Sequence, residues 1–241
     1  MKRSLSDEKV LIIVPAYNES QAIKSTIKEI KSFFSYVDIL VVDDGSTDTT
    51  RQEAIKEGVM VVSLPFNLGI GGAIQTGFKF AYEKGYSIAV QIDGDGQHDA
   101  HYLSKLLELA IDNKYDMVIG SRFIENNKGF KSSIARRAGI RFFSWLIGAL
   151  TKTYVADPTS GFRVYSKKMI NIFARYYPHD FPEPEAIVVA RRYNAKIKEV
   201  AVQMRERKTG YSSIRYLKTL YYMIKVTFAI MLDGLKGKRS F

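Results

Sequence analysis

Gln91-Ile92-Asp93-Gly94-Asp95-Gly96-Gln97-His98-Asp99 decides how this chain is read, because it sets several metal-capable oxygens just beyond the apolar run from Tyr86 to Ile92. An apolar run that ends in a polar, glycine-rich turn marks the carboxyl end of a buried strand, the edge at which open α/β sheets bind ligands. Asp93 and Asp95, one residue apart with the amide of Gln97 beyond them, can share a hard divalent cation such as Mg²⁺ or Mn²⁺. The remaining positions of such an ion are filled by water and substrate phosphates. Asp and Gly also favour turns, so the pair alone does not separate a metal site from a tight loop.

Working towards the amino terminus, the same rhythm recurs. Val59 to Leu64 is a strand candidate followed by a helix from about Ile70 to Glu83. Val37 to Val42 is a second buried strand, and Val10 to Val14 a first one. Ile23, Ile27, Ile30 and Phe34 give helical spacing between them over Ser20 to Phe34. Towards the carboxyl terminus, Tyr102 to Asn113 and Met117 to Ile119 add a helix and a strand. Such alternation predicts a mostly parallel central sheet flanked by helices. The back half is less regular: Ile134 to Leu150 and Tyr211 to Leu235 read as helices, the latter with an apolar core, Thr219 to Leu232, of 14 residues that includes Lys225. That is short of the about 20 apolar residues of a membrane span and predicts an amphipathic interfacial helix, with packing against the domain as the competing reading.

The 241 residues, 46% of them hydrophobic, suit one large α/β domain or one domain with a small appendage. No cysteine is present, which removes disulfides and thiolate metal sites. Met1 to Val10 is polar and charged, unlike a secretory signal, and a cytoplasmic location is expected. The net charge of +11 is unevenly placed: nine Lys or Arg face two acids from Gln203 onward, and six basic residues and no acid lie between Lys128 and Lys152. Both segments are also aromatic and aliphatic, which suits a lipid interface. A basic nucleic-acid-binding module is the remote alternative, whose binding would fall steeply with salt. A nucleotidyltransferase on the same kind of sheet is equally remote.

Each predicted strand end carries polar candidates. Pro15-Ala16-Tyr17-Asn18-Glu19 follows the first and Asp43-Asp44-Gly45-Ser46-Thr47-Asp48 the second. Asp44 is expected to accept hydrogen bonds from a base or ribose, and Ser46, Thr47 and Asp48 to cap the next helix. Asn67-Leu68-Gly69-Ile70-Gly71-Gly72 opens the helix after the third strand, so its glycines serve either a phosphate or close helix packing. Ile74 at the third glycine position excludes the dinucleotide fingerprint. His98 and His101 have metal-compatible chemistry, with helix-start or surface roles weighing more. Trp145 suits either a headgroup anchor or the core.

In order along residues 9 to 213, these motifs resemble family 2 glycosyltransferases of the GT-A fold, on Pro15 to Glu19, the run ending at Ser46, Asn67 to Gly77 and Asp93-x-Asp95. Gly120-Ser121-Arg122, Asp157-Pro158-Thr159-Ser160-Gly161-Phe162-Arg163 and Arg205 to Ser213 are similar to the dolichyl- or polyprenyl-phosphate sugar synthase branch. The resemblance implies an inverting transfer of a hexose or N-acetylhexosamine from a nucleotide sugar, UDP favoured over GDP, to polyprenyl phosphate. It implies Pro15, Tyr17, Glu19, Asp43, Asp44, Asn67 and Gly72 around the nucleotide, with Arg205 on its diphosphate from a closing loop. It implies Mg²⁺ or Mn²⁺ on Asp93, Asp95 and Gln97, the acceptor phosphate on Arg122, Arg136 and Arg137, and Arg122 and Arg163 beside Asp93 and Asp95 in the catalytic set. Arg163 and Arg207 can serve either phosphate. The expected layout is a catalytic domain over residues 1–210 and a membrane-associating segment over residues 211–241, at the inner face of the cell membrane. A small integral membrane partner or a second copy of the chain is left open, and no nucleic acid is expected.

The acceptor side departs from the wider family. A hydroxyl acceptor needs a positioned base, whereas a phosphate monoester is already largely dianionic at neutral pH. The nearest acidic stretch here is Phe181-Pro182-Glu183-Pro184-Glu185, so Glu183 or Asp180 is the base if a hydroxyl of a lipid-linked or cell-wall polysaccharide is the acceptor.

Overall fold

The computed structural model describes residues 8–111, 114–124, 134–179, 182–205 and 216–237, with residues 134–136 and 216–222 described by backbone alone. The front half alternates as its apolar periodicity requires: β1 Val10–Ala16, α1 Ile23–Phe33, β2 Asp38–Asp43, α2 Thr50–Lys56, β3 Met60–Ser63, α3 Gly69–Glu83 and β4 Ile88–Gln91. A short 3₁₀ turn at Ala100–Tyr102, its start capped by the Asp99 side chain, leads into α4 Leu103–Ile111 and β5 Met117–Ser121. The back half holds α5 Ile134–Thr151, β6 Arg163–Ser166, α6 Lys167–Arg175, α7 Pro182–Arg192, β7 Ile197–Ala201 and α8 Tyr216–Leu235.

The seven strands lie in the order β3-β2-β1-β4-β6-β5-β7. All described pairings are parallel except those of β6, which runs antiparallel between β4 and β5. Both faces of the sheet are covered. Leu11, Ile13, Leu40 and Val42 face α3, α6 and α7, while Ile12, Val14 and Val41 face α1 and α4. A strand buried on both faces needs an unbroken apolar run, which is why β1 reads Val-Leu-Ile-Ile-Val.

β6, α6, α7 and β7 went unrecognised in the sequence. β6 is four residues long and reverses direction, so neither its length nor its neighbours in sequence reveal its place. α5 and α8 are helical within a residue or two of the bounds read from the sequence where the chain is described; residues 211–215 lie outside it. α8 buries Val226 and Ile230 in the core formed by α3, α5, α6 and α7, and exposes Ile224, Phe228, Met231, Leu232 and Leu235. Among the described residues no helix is long and apolar enough to cross a membrane.

Candidate functional site

Chain order β3-β2-β1 on one side and β4 on the other makes the gap between the ends of β1 and β4 the topological switch point of the sheet. The two loops meet there without room to spare. A Cβ on Gly94 would lie 3.1 Å from the Pro15 carbonyl and 3.4 Å from the Ala16 Cβ, so the metal-candidate loop rests directly on the loop opened by Pro15 and Tyr17.

The loop after β4 is braced from within. The Gln97 backbone N–H donates to Asp95 Oδ1 at 3.0 Å, and Gly96 takes the left-handed conformation (φ 73°) that the tight turn needs. The Gln97 side chain donates from Nε2 to the Arg205 carbonyl at 3.3 Å, which leaves Oε1 as its end for a cation. Asp93 follows β4 and packs against Gly161. A Cβ on Gly161 would stand 2.8 Å and 2.9 Å from its two carboxylate oxygens, so only glycine fits there. About a third of the Asp93 side chain meets solvent, yet protein surrounds it closely. Burial, with the negative charge of Asp95, pushes its carboxyl up to about 7, against the pull of Arg122 and Arg163. A divalent cation would relieve both causes at once. Two carboxylates and an amide oxygen form an all-oxygen set that fits Mg²⁺ or Mn²⁺. Among the described residues no three His, Cys, Asp or Glu side chains form a ready-made metal cage.

His98 is buried rather than at a surface. Its Nδ1 accepts the Asp93 backbone N–H at 3.1 Å, and its ring stacks on Phe162 at 5.1 Å between centroids. Burial pulls its pKa down to about 4, so the imidazole is neutral.

The nucleotide-side residues converge on the adjacent strand ends. Asp44 is buried and accepts the backbone N–H groups of Leu68 (2.8 Å) and Gly69 (2.9 Å), capping α3 from the neighbouring strand. Burial raises its pKa more than these bonds lower it. Each carboxylate oxygen keeps a second lone pair for a ligand. Asp43 Oδ1 accepts Ser46 N–H at 3.1 Å. Asp48, two residues ahead of α2, accepts Thr50 N–H and Ser20 N–H. Ser46 and Thr47 instead bind Asn18, tying the first two loops together. Tyr17 is exposed, Glu19 begins α1's approach by donating its N–H to Thr50 Oγ1, and Asn67 is exposed with Oδ1 accepting Gly69 N–H. The glycines go to packing. Gly71 lies under the Pro178 and His179 carbonyls, where a Cβ would sit 2.0 Å from His179 O, and Gly72 is buried against Leu68. Close packing is the role the structure shows for Gly71 and Gly72.

The described arginines of the expected set are placed as follows. Arg122 is buried and forked onto Asp157, Nε to Oδ2 at 2.6 Å and Nη2 to Oδ1 at 2.7 Å, with Thr159 Oγ1 also accepting from Nη2. This geometry fits a structural pair more than an open phosphate clamp. Arg163 is fully buried and donates to the Ser160 and Pro158 carbonyls at 2.7 and 2.9 Å, while its Nη1 has no hydrogen-bond partner. It therefore shapes the 157–161 loop, and it reaches Asp93 and Glu183 through its charge. Arg205, expected over the diphosphate, points to Glu29 and, at 2.9 Å, to Asp99, because those two carboxylates outcompete open solvent for its fork. Arg137 is exposed on α5. The Arg136 side chain, Asp180 and Arg207 lie outside the described residues.

Two acids, Asp157 and Glu199, were not assigned these roles from sequence. Asp157 holds Arg122, and Glu199 on β7 in turn accepts the N–H groups of Ala156 (2.7 Å) and Asp157 (2.8 Å). Only the Asp157-Pro158-Thr159 motif offered a signal; Glu199 offered none. Glu183, raised as a candidate base, opens α7, where burial and the charge of Asp93 push its carboxyl up to about 7 against Arg163.

The arrangement, with acidic donors at the switch point of a mostly parallel sheet and one inserted antiparallel strand, is that of GT-A glycosyltransferases. The crystal structure of glucosyl-3-phosphoglycerate synthase from Mycobacterium tuberculosis with Mn²⁺, uridine diphosphate and phosphoglyceric acid has the same fold, with a TM-score of 0.72 and 21% identity over 96% of this chain and 80% of that one. The sequence pattern described as glycosyl transferase family 2 matches residues 11–173, and the chain belongs to that family. It is 34% identical to an uncharacterized protein of Methanocaldococcus jannaschii, over 83% of this chain and 82% of that protein. It is 32% identical to the UDP-N-acetylglucosamine–dolichyl-phosphate N-acetylglucosaminyltransferase of Methanococcus voltae, over 83% and 86%, and to the undecaprenyl-phosphate mannosyltransferase of Micrococcus luteus, over 65% and 66%. It is a glycosyltransferase, and its likeness is to the polyprenyl-phosphate sugar synthase branch.

Proposed function

We propose that the protein transfers a hexose or N-acetylhexosamine from a nucleotide sugar, UDP-linked by preference, to polyprenyl phosphate, with inversion at the anomeric carbon. The observation that carries this reading is the all-oxygen set of Asp93, Asp95 and Gln97 at the switch point, beside Asp44 and Tyr17 on the neighbouring strand ends. Those three residues would hold Mg²⁺ or Mn²⁺. The ion supplies positive charge against the leaving nucleoside diphosphate. Asp44 and the Tyr17 loop orient the nucleoside, and Gly161 keeps Asp93 in one place beneath it. The likeness to the Methanococcus voltae enzyme supports a UDP-sugar and a lipid phosphate.

The acceptor approaches from the side of α5 and α8. Trp145 (65% exposed), Phe142 and Tyr154 on and after α5, with Phe228, Leu232 and Leu235 on α8, suit the headgroup layer of an anionic membrane. The working location is thus the inner surface of the cell membrane, directly or through a small membrane-embedded partner. Glu183 favours a second reading. A carboxyl near pKa 7 inside the site is matched to general-base work, which a sugar hydroxyl acceptor needs and a phosphate does not.

The test incubates the purified protein and MnCl₂ with a panel of labelled nucleotide sugars and either undecaprenyl phosphate or an oligosaccharide acceptor. Label in the lipid fraction is expected. Label on the oligosaccharide alone would transfer the assignment to the hydroxyl reading, and Glu183→Gln should then abolish transfer.

A further inference from the structure

The imidazole of His98 lies inside the loop that carries all three proposed metal donors, and the proposed chemistry does not use it. We propose that His98 is a positioning residue for Asp93, fixing the main chain that carries its carboxylate without binding the metal. This rests on the metal reading above.

A neutral imidazole has one lone pair for a ligand or a hydrogen bond. Here Nδ1 accepts the Asp93 backbone N–H at 3.1 Å, so that lone pair is occupied. The proton is then on Nε2, which stands 3.6 Å from Asp93 Oδ2. No lone pair of His98 is left for a cation.

The same contact closes the loop on itself. Asp93 and His98 are its two ends, and Asp95 and Gln97 lie between them, braced by the Gln97 N–H to Asp95 Oδ1 bond. The ring cannot swing away, because it stacks on Phe162 with planes 14° apart, and His98 forms an isolated bridge with Met204. Phe162 follows Gly161, where a Cβ would stand 2.8 Å and 2.9 Å from the Asp93 carboxylate oxygens. Gly161 and His98 thus both pack on Asp93. Partners of this kind behind metal ligands typically change affinity by about 10–100-fold when removed.

Mn²⁺ binding is followed by electron paramagnetic resonance, titrating MnCl₂ into the full chain with UDP present. His98→Phe keeps the stacking surface and loses both polar contacts, and its Mn²⁺ dissociation constant should rise about 10-fold or more. His98→Asn, whose Oδ1 can accept the Asp93 N–H, should come within about threefold of the wild type. Turnover of His98→Phe should recover at saturating Mn²⁺, a split that general loss of structure would not give. Wild-type Mn²⁺ affinity in His98→Phe overturns the proposal. So does ¹⁴N coupling to bound Mn²⁺ that disappears in His98→Asn, since His98 would then be a ligand. If His98→Phe does not fold, His98→Asn decides: an affinity loss of 10-fold or more also overturns it. Failure of the wild type to bind Mn²⁺ with UDP removes the metal reading itself, and the role of His98 with it.

Discussion

The two halves of the sheet hold their charged groups in different ways. In the half built from β1 to β4, acids sit at strand ends and are braced by backbone N–H groups: Asp43 by Ser46 and Asp95 by Gln97 in their own turns, Asp44 by Leu68 and Gly69 at the start of α3. In the half built from β5 to β7, charged side chains are braced by each other across long stretches of chain: Arg122 by Asp157, Arg192 by Asp233. The first kind leaves carboxylate lone pairs for a ligand. The second fixes geometry and tolerates loss of a partner poorly, because a buried charge left alone is costly.

That contrast ranks the consequences of substitution. The largest should come from Asp157→Ala, which leaves the buried Arg122 guanidinium uncompensated and should lower stability by about 3–5 kcal/mol. Denaturant unfolding measures it; a loss under 1 kcal/mol would show that Arg122 finds another partner. Asp233→Ala breaks the corresponding pair between α8 and α7. Burial works against the Asp233 carboxylate, but Lys236, Tyr176 and their neighbours hold its pKa below the ordinary value. Loss of α8 protection in hydrogen exchange should accompany the destabilisation.

On the other side of the comparison, Asp95→Asn should leave the fold intact and lower turnover by about 10²–10³-fold, in the range of removing one electrostatic stabiliser of a developing anion. Release of nucleoside diphosphate in the presence of MnCl₂ is the measurement. Unchanged turnover would remove the metal from the reaction.

The pH dependence tests whether the two halves meet at Glu183. Folded Asp93 and Glu183 both titrate near 7, above an unfolded carboxyl, so their contribution to stability is full below the unfolded value and is lost as pH rises through about 7. His98 works the other way: lowered to about 4, it contributes above its unfolded value and loses that contribution as pH falls. Two groups against one predict that the metal-free protein loses stability between about pH 5 and 7.5. Glu183→Gln should flatten that slope, and saturating Mn²⁺ should flatten it through Asp93. A slope unchanged in Glu183→Gln would place that carboxyl outside the site.

The same contrast explains what was legible in the sequence. Asp93, Asp95 and Gln97 stood out because a strand end, a turn and a ligand edge coincide within nine residues. The front-half strands were readable because each is an apolar run with helical spacing after it. β6 was not, since its place between β4 and β5 is set by tertiary pairing of Arg163 with Gln91 and Ile119. For the same reason Arg122 could be chosen as a phosphate ligand: the motif names the guanidinium, but not the carboxylate 35 residues on that holds it. Gly71 and Gly72 read equally as cradle or packing, and Gly77, further along α3, shows the same close packing. A Cβ on Gly77 would lie 2.4 Å from Ile13.

The smallest effect is expected at the outer surface of α5. Trp145 contributes little to the fold, being 65% exposed and touching Phe142 at 6.2 Å between centroids. Trp145→Ala should therefore leave stability within about 0.5 kcal/mol. If that surface meets lipid, loss of the ring removes an amphipathic anchor worth about 1–2 kcal/mol, or about 5–30-fold in partitioning to anionic vesicles. Sedimentation with vesicles containing phosphatidylglycerol measures it, and added salt separates the ring from the basic charge, since screening weakens the charge and leaves the apolar contact. Equal partitioning of wild type and Trp145→Ala at both salt levels would free α5 from the membrane and leave only the exposed side of α8 for that contact.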